Sequence, residues 1–109
     1  MNANVVINWV DVGAMTEVAR QSARRVETAM GPIAVFRTVA DEYYAVFDKC
    51  PHKGGPLSEG IVHGHQVTCP LHNWVIELET GAAVAPDQGR TACLPVKVED
   101  GLVWLGHAG

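Results

Sequence analysis

The chain has 109 residues, a formal net charge of −4 and 48% hydrophobic residues. That length predicts a single domain, residues 1–109, since a second core would not fit. The acidic balance disfavours nucleic acid as a partner, because phosphate binding needs a basic face. No apolar run approaches the roughly eighteen residues of a membrane span, so no membrane segment is expected. Met1-Asn2-Ala3-Asn4-Val5 lacks the basic start and long apolar stretch of a secretory signal. Three cysteines, an odd number, argue against a disulfide framework and for a reducing, cytoplasmic setting.

In chain order, Val5-Val6-Ile7-Asn8-Trp9-Val10 is β-branched and aromatic enough for a first strand. Between Asp11 and Met30 two patterns compete. Val12, Met15, Ala19, Ser22, Val26 and Ala29 follow helical spacing, whereas Arg25-Val26-Glu27-Thr28 reads as a strand turning at Met30-Gly31 into Ile33-Ala34-Val35-Phe36-Arg37. The preferred reading is a short helical turn near residues 13–19 followed by that hairpin. Tyr43-Tyr44-Ala45-Val46-Phe47 is a strand, and Gly60 to Thr68 reads as a hairpin. Val75-Ile76-Glu77-Leu78 is a further strand, and Ala82 to Arg90, with Pro86 and Gly89, is a connecting loop. Val96-Lys97-Val98-Glu99 and Leu102-Val103-Trp104-Leu105 flank Asp100-Gly101, a hairpin signature. Short strands and frequent turns imply an all-β antiparallel sandwich or small barrel.

The chemistry concentrates in two short segments, Cys50-Pro51-His52 and, with sixteen residues between, Cys69-Pro70-Leu71-His72. Each offers one thiolate and one imidazole at a spacing that a loop can aim at a single object. The hairpin between them would set the two loops side by side. Zinc accepts two Cys and two His, but finger-type spacing places both Cys before both His. Here the order alternates. A [2Fe–2S] cluster with one iron on two Cys and the other on two His takes one ligand per iron from each loop, which explains the alternation. Cys50, His52, Cys69 and His72 are therefore the candidate metal and cofactor ligands, with zinc as the competing occupant. No residue is a candidate for catalysis in its own right.

With the flanks in view, the chain resembles the Rieske-type [2Fe–2S] ferredoxins over nearly its full length. The likeness is densest from Cys50 to Gly60 and from Cys69 to Trp74, and continues through Glu79-Thr80-Gly81 and Pro95 to Gly101. Within that family it is most similar to the small subunits of assimilatory NAD(P)H-dependent nitrite reductases, chiefly through Asn73-Trp74 after the last ligand. The resemblance implies a Rieske-type β fold with a cluster-binding part at about residues 48–75. It implies electron transfer as the subunit of an enzyme, with flavin and sirohaem on a large partner that reduces nitrite to ammonium. A stand-alone ferredoxin serving a ring-hydroxylating dioxygenase is the alternative, and a zinc-stabilised interaction module the third reading. Residues 12–30 depart from the family pattern, and Cys93-Leu94 stands where a Thr–aromatic pair is common.

The resemblance also implies roles. Cys50 and Cys69 would hold the inner iron, and His52 and His72 the outer one. High-potential members carry an extra Cys in each loop, where this chain has Gly55 and Leu71, and Ser and Tyr after the last His, where it has Trp74 and Ile76. Fewer hydrogen-bond donors to the sulfurs imply a low potential. Gly54 and Gly55 would let backbone approach the cluster, and Leu57, Leu71 and Trp74 would exclude water. Lys49 and Lys53 flank the first loop as solvated lysines or as guides for an acidic partner. His63 and His65 are expected as turn residues, and His107 carries no signal. Cys93 is expected as a buried inert thiol, and Arg20, Arg24 and Arg25 as a solvated basic group or a subunit contact.

Overall fold

The run Ile33-Ala34-Val35-Phe36 has no polar residue to turn toward water, so a strand built from it must be covered on both faces. In the computed structural model, which describes residues 7–51, 54–71 and 73–108, it is. The run lies in β3 (Gly31–Arg37), and alternate side chains enter different cores. Ile33 and Val35 join Val18, Ala45, Val103 and Leu105, whereas Ala34 and Phe36 join Val46, Leu57, Val62, Val67, Ile76 and Leu78. A period of two residues per strand repeat distributes the run in this way.

Among the described residues the architecture is all-β and antiparallel. The sheet containing β3 has the order β2-β3-β4-β8, with β2 Ser22–Thr28, β4 Tyr43–Phe47 and β8 Cys93–Leu94. On one face packs the sheet β1-β10-β9, made of β1 Ile7–Ala14, β9 Val96–Glu99 and β10 Leu102–Ala108. On the other packs the sheet β5-β6-β7, made of β5 Ile61–His63, β6 Gln66–Thr68 and β7 Val75–Glu77. The candidate site lies with this last sheet.

The expected hairpins are present. Asp100 and Gly101 sit at φ 55° and 76° between Glu99 and Leu102, the positive angles that a two-residue type I′ turn requires. The ambiguous stretch resolves into a 3₁₀ turn at Met15–Glu17 and the strand pair β2–β3. Of the positions with helical spacing, Val12, Met15 and Val26 contribute to one core from different elements, whereas Ala19 and Ala29 are exposed. The first strand starts at Ile7 and runs on to Ala14, further than residue 10, because it pairs along β10. Residues 5 and 6 of the expected strand lie outside the described residues. Among the described residues no helix is long and apolar enough to cross a membrane.

Candidate metal centre

The first loop leaves β4 at Phe47 and is pinned before it reaches Cys50. The Asp48 backbone N–H donates to Pro32 O at 3.0 Å. Its buried carboxylate accepts from the Ser58 N–H at 2.7 Å and the Ser58 hydroxyl at 2.6 Å, with Arg25 Nη1 at 3.6 Å. These bonds tie the start of the loop to the 3₁₀ turn Leu57–Glu59. Within the loop, Cys50 N–H donates to Gly55 O at 2.8 Å and Gly54 N–H donates to Cys50 O at 2.9 Å. Gly54 at φ 71° permits that reversal.

The second loop closes in a similar way. Cys69 N–H donates to Trp74 O at 2.7 Å, and Leu71 N–H lies 3.4 Å from Cys69 Sγ. Asn73 takes the left-handed conformation, φ 57°, which Asn tolerates better than most residues. The two loops meet at Gly55. A Cβ there would stand 2.9 Å from Leu71 Cδ1 and 3.1 Å from Cys69 Sγ, so glycine is what lets one loop's backbone reach the other's sulfur. The expected juxtaposition of the loops is thus present.

Cys50 and Cys69 are 2% and 0% exposed and belong to one buried cluster with Leu57, Val67 and Ile76. None of the three cysteines forms a disulfide. Two reduced sulfurs held in touching loops suit a soft-metal or iron–sulfur centre. The other expected ligands, His52 and His72, lie outside the described residues, as does Lys53. Among the described residues no three of His, Cys, Asp and Glu gather as a metal site.

His63 and His65 have other partners. His63 Nε2 is 2.7 Å from Thr68 Oγ1 across the β5–β6 pair. His65 Nε2 is 3.0 Å from Glu42 Oε1 and its Nδ1 3.6 Å from Glu79 Oε1, with the ring tilted against Tyr44. His63→Ala is expected to leave iron content and the visible spectrum unchanged. Loss of colour in that variant, read by absorbance of the purified protein, would make His63 a ligand.

Three expectations need correction or division. Cys93 is exposed rather than buried, because β8 is the edge strand of its sheet. Its Sγ still rests 3.8 Å from Leu78 O and 3.9 Å from Glu79 O, and desolvation pushes the thiol's pKa up, with nearby Arg90 opposing. A protonated thiol is a poor nucleophile, so this partial desolvation works against reactivity at Cys93 although the residue is exposed. Leu57 is buried but Leu71 is 42% exposed, so Leu71 covers Cys69 from outside while presenting apolar surface to solvent. Arg20, Arg24 and Arg25 do not form one basic face, since they pair separately with Asp41, Glu17, and Glu27 with Asp48.

Two contributors had no sequence signal. Asp48 is one. The other is the 82–90 loop, which crosses both ligand loops: a Cβ at Gly89 would stand 3.0 Å from Pro51 Cβ and 3.8 Å from Trp74 Cζ3. Gly89 at φ 138° fits there as only glycine readily does.

Comparison with known proteins agrees with this geometry. Residues 8–95 match the Rieske [2Fe–2S] domain family. The chain is 36% identical over 104 residues to the anthranilate 1,2-dioxygenase ferredoxin subunit of Burkholderia cepacia, covering 94% of this chain and 95% of that one. It is 31% identical to a chain in the complex of oxygenase and ferredoxin of carbazole 1,9a-dioxygenase, with a TM-score of 0.80 over 89% of this chain and 91% of that one. A Mycobacterium tuberculosis protein described as an NADH-dependent nitrite reductase small subunit superposes with a TM-score of 0.86 over 95% of this chain and 98% of that one, at 20% identity. At that identity the likeness shows the fold. Sequence match, relatives of equal length and paired reduced thiols in touching loops converge: the chain belongs to the Rieske family, whose domain carries a [2Fe–2S] cluster and transfers electrons.

Proposed function

We propose that this chain is the electron-transferring small subunit of an NAD(P)H-dependent nitrite reductase, and that Cys50 and Cys69 hold one iron of its cluster and His52 and His72 the other. The observation that carries the finer reading is the Asn73-Trp74 pair. Asn73 makes the left-handed turn of the second loop, and Trp74 packs on the core beneath Gly89, where it braces the 82–90 loop against both ligand loops. In sequence the pair resembles that of the nitrite reductase small subunits. The fold likeness to such a subunit agrees with the reading, and the dioxygenase ferredoxins share that fold.

A [2Fe–2S] cluster held there would supply one-electron redox chemistry. This chain's own residues do the rest. Gly55 brings backbone against Cys69 Sγ, and the Leu71 N–H points at the same sulfur. Leu57 closes the inner side, and Asp48 with Ser58 holds the first loop in place. With two thiolates and two neutral imidazoles as ligands, an oxidised cluster would be about neutral and would accept an electron more easily than an all-Cys cluster. Glycine at 55 and Ile76 after the second loop supply no side-chain donor to lift the potential further. The midpoint is expected in the lower third of the Rieske range, about −150 to 0 mV. Potentiometric titration followed in the visible region checks this, and a midpoint well above zero refutes it.

The identity to dioxygenase ferredoxin subunits favours a second reading, a ferredoxin that reduces an oxygenase. Reconstitution separates the two. The cluster-loaded chain is added to a sirohaem flavoprotein large subunit and NADPH, and in parallel to an oxygenase with its reductase. Chain-dependent conversion of nitrite to ammonium supports the proposal. Turnover only with the oxygenase sinks it.

A further inference from the structure

A groove of about 560 Å³ opens beside the first ligand loop, lined by Lys49, Cys50 and Pro51 and, from the end of the 82–90 loop onward, by Arg90, Thr91 and Ala92. Its charge is unusual for this chain. Arg20 and Arg37 pair with Asp41, Arg24 with Glu17, Arg25 with Glu27 and Asp48, and Lys97 with Glu99. Among the described residues, the cations left without an ion-pairing carboxylate are Lys49 and Arg90, and both line this groove. Carboxylates are not scarce, since the chain has twelve acidic residues against eight basic ones, yet none lines the groove. Gly54 also lines it, and the next residue, Gly55, lies under the exposed Leu71. A basic pocket therefore adjoins an apolar knob at the loops that carry the two buried thiols. Apolar surface with a charged margin is the composition of a transient protein interface.

We propose that this groove docks a carboxylate-bearing segment of the redox partner, with Lys49 and Arg90 each engaging an acidic side chain and Leu71 supplying the apolar contact. The inference rests on the chain being an electron-transfer protein, and not on which partner it serves. Unneutralised charges at a docking face raise encounter rates and fix orientation, and they are screened by salt. The groove's position next to Cys50 keeps a docked partner close to the proposed centre.

The test compares cluster-loaded wild type with K49Q/R90Q and R20Q/K97Q, two variants of equal net charge that alter the groove and two remote, exposed ion pairs. The first readout is anisotropy of a fluorescein-labelled hexaglutamate peptide at low ionic strength. K49Q/R90Q is expected to bind it about tenfold more weakly than wild type, and R20Q/K97Q within about twofold. The second is the rate of electron exchange with whichever reconstituted partner accepts electrons. There the groove variant is expected to be about tenfold slower at low salt and to lose most of the salt dependence. Equal behaviour of the two variants in the peptide assay overturns the proposal. Displacement of the peptide by millimolar nitrite at constant ionic strength also overturns it, by making the groove a small-anion site. Failure of the wild type with the nitrite reductase subunit alone sinks the functional reading above, while the peptide assay still decides the groove.

Discussion

Cys69→Ser is expected to remove the iron and the red-brown colour of the protein almost completely. Cys69 is 0% exposed and sits at the meeting point of the two loops, with Gly55 and Leu71 against its sulfur. A serine hydroxyl is a harder, far less acidic donor than a thiol and does not replace thiolate on iron. It also leaves a hydroxyl in an apolar cluster, which by itself costs about 1–3 kcal/mol. Loss of metal-linked stabilisation adds to that, because a bound centre contributes its binding energy to folding. A fall in Tm of about 10 °C or more is expected. Cys93→Ser is the control: its thiol is exposed at a sheet edge, so colour should persist and stability change by less than about 1 kcal/mol. Iron analysis, visible absorbance and thermal denaturation of both variants check this. A Cys69→Ser protein with the full wild-type spectrum would remove Cys69 from the ligand set.

Gly81→Ala is expected to be the most damaging single-methyl change in the scaffold. Gly81 lies at φ 75°, in the turn after β7, and a Cβ there would run into the carbonyl oxygen of Thr91 and stand 3.1 Å from Cys93 Sγ. That carbonyl cannot retreat freely. The Thr91 N–H donates to Gly81 O at 2.8 Å, its hydroxyl donates to Phe47 O at 3.3 Å, and Phe47 N–H donates to Ala92 O at 3.0 Å. Pushing Thr91 away therefore detaches the 90–92 segment from the end of β4, where the first ligand loop begins. The left-handed backbone costs about 1–2 kcal/mol for a residue with a Cβ, and the overlap raises the total to about 3 kcal/mol or more. Gly64→Ala isolates the first contribution, since Gly64 has φ 58° but open space around its Cβ position. Thermal melts should place Gly81→Ala roughly 10 °C or more below wild type and Gly64→Ala much closer to it. Equal losses in the two variants would show that the Thr91 contact carries no weight.

Much of this was legible in the sequence where a local rule and a tertiary demand agree. The Asp100-Gly101 pair sets its own hairpin, and the four-residue apolar run of β3 can only be a doubly covered strand. The meeting of the Cys50 and Cys69 loops was legible because the hairpin between them sets the two side by side. The stretch from 12 to 30 was harder, since Val12, Met15 and Val26 reach the same core from three elements and so mimic helical spacing. Cys93 was misplaced because apolar neighbours in sequence say nothing about which strand ends a sheet. Nor does any local pattern reveal that Arg20 meets Asp41, or that Asp48 anchors Ser58; those pairs form only once β2, β3 and the first loop are assembled.

The strand that lines both cores leaves the two halves of the molecule no independent way to melt. Opening either side strips one face of β3, so the amide protons of residues 33–36 can exchange with solvent only when the entire molecule opens. Deuterium uptake at those four positions would accordingly report global stability, and the difference in their rates between iron-loaded and iron-free protein would measure how tightly the centre is coupled to the chain.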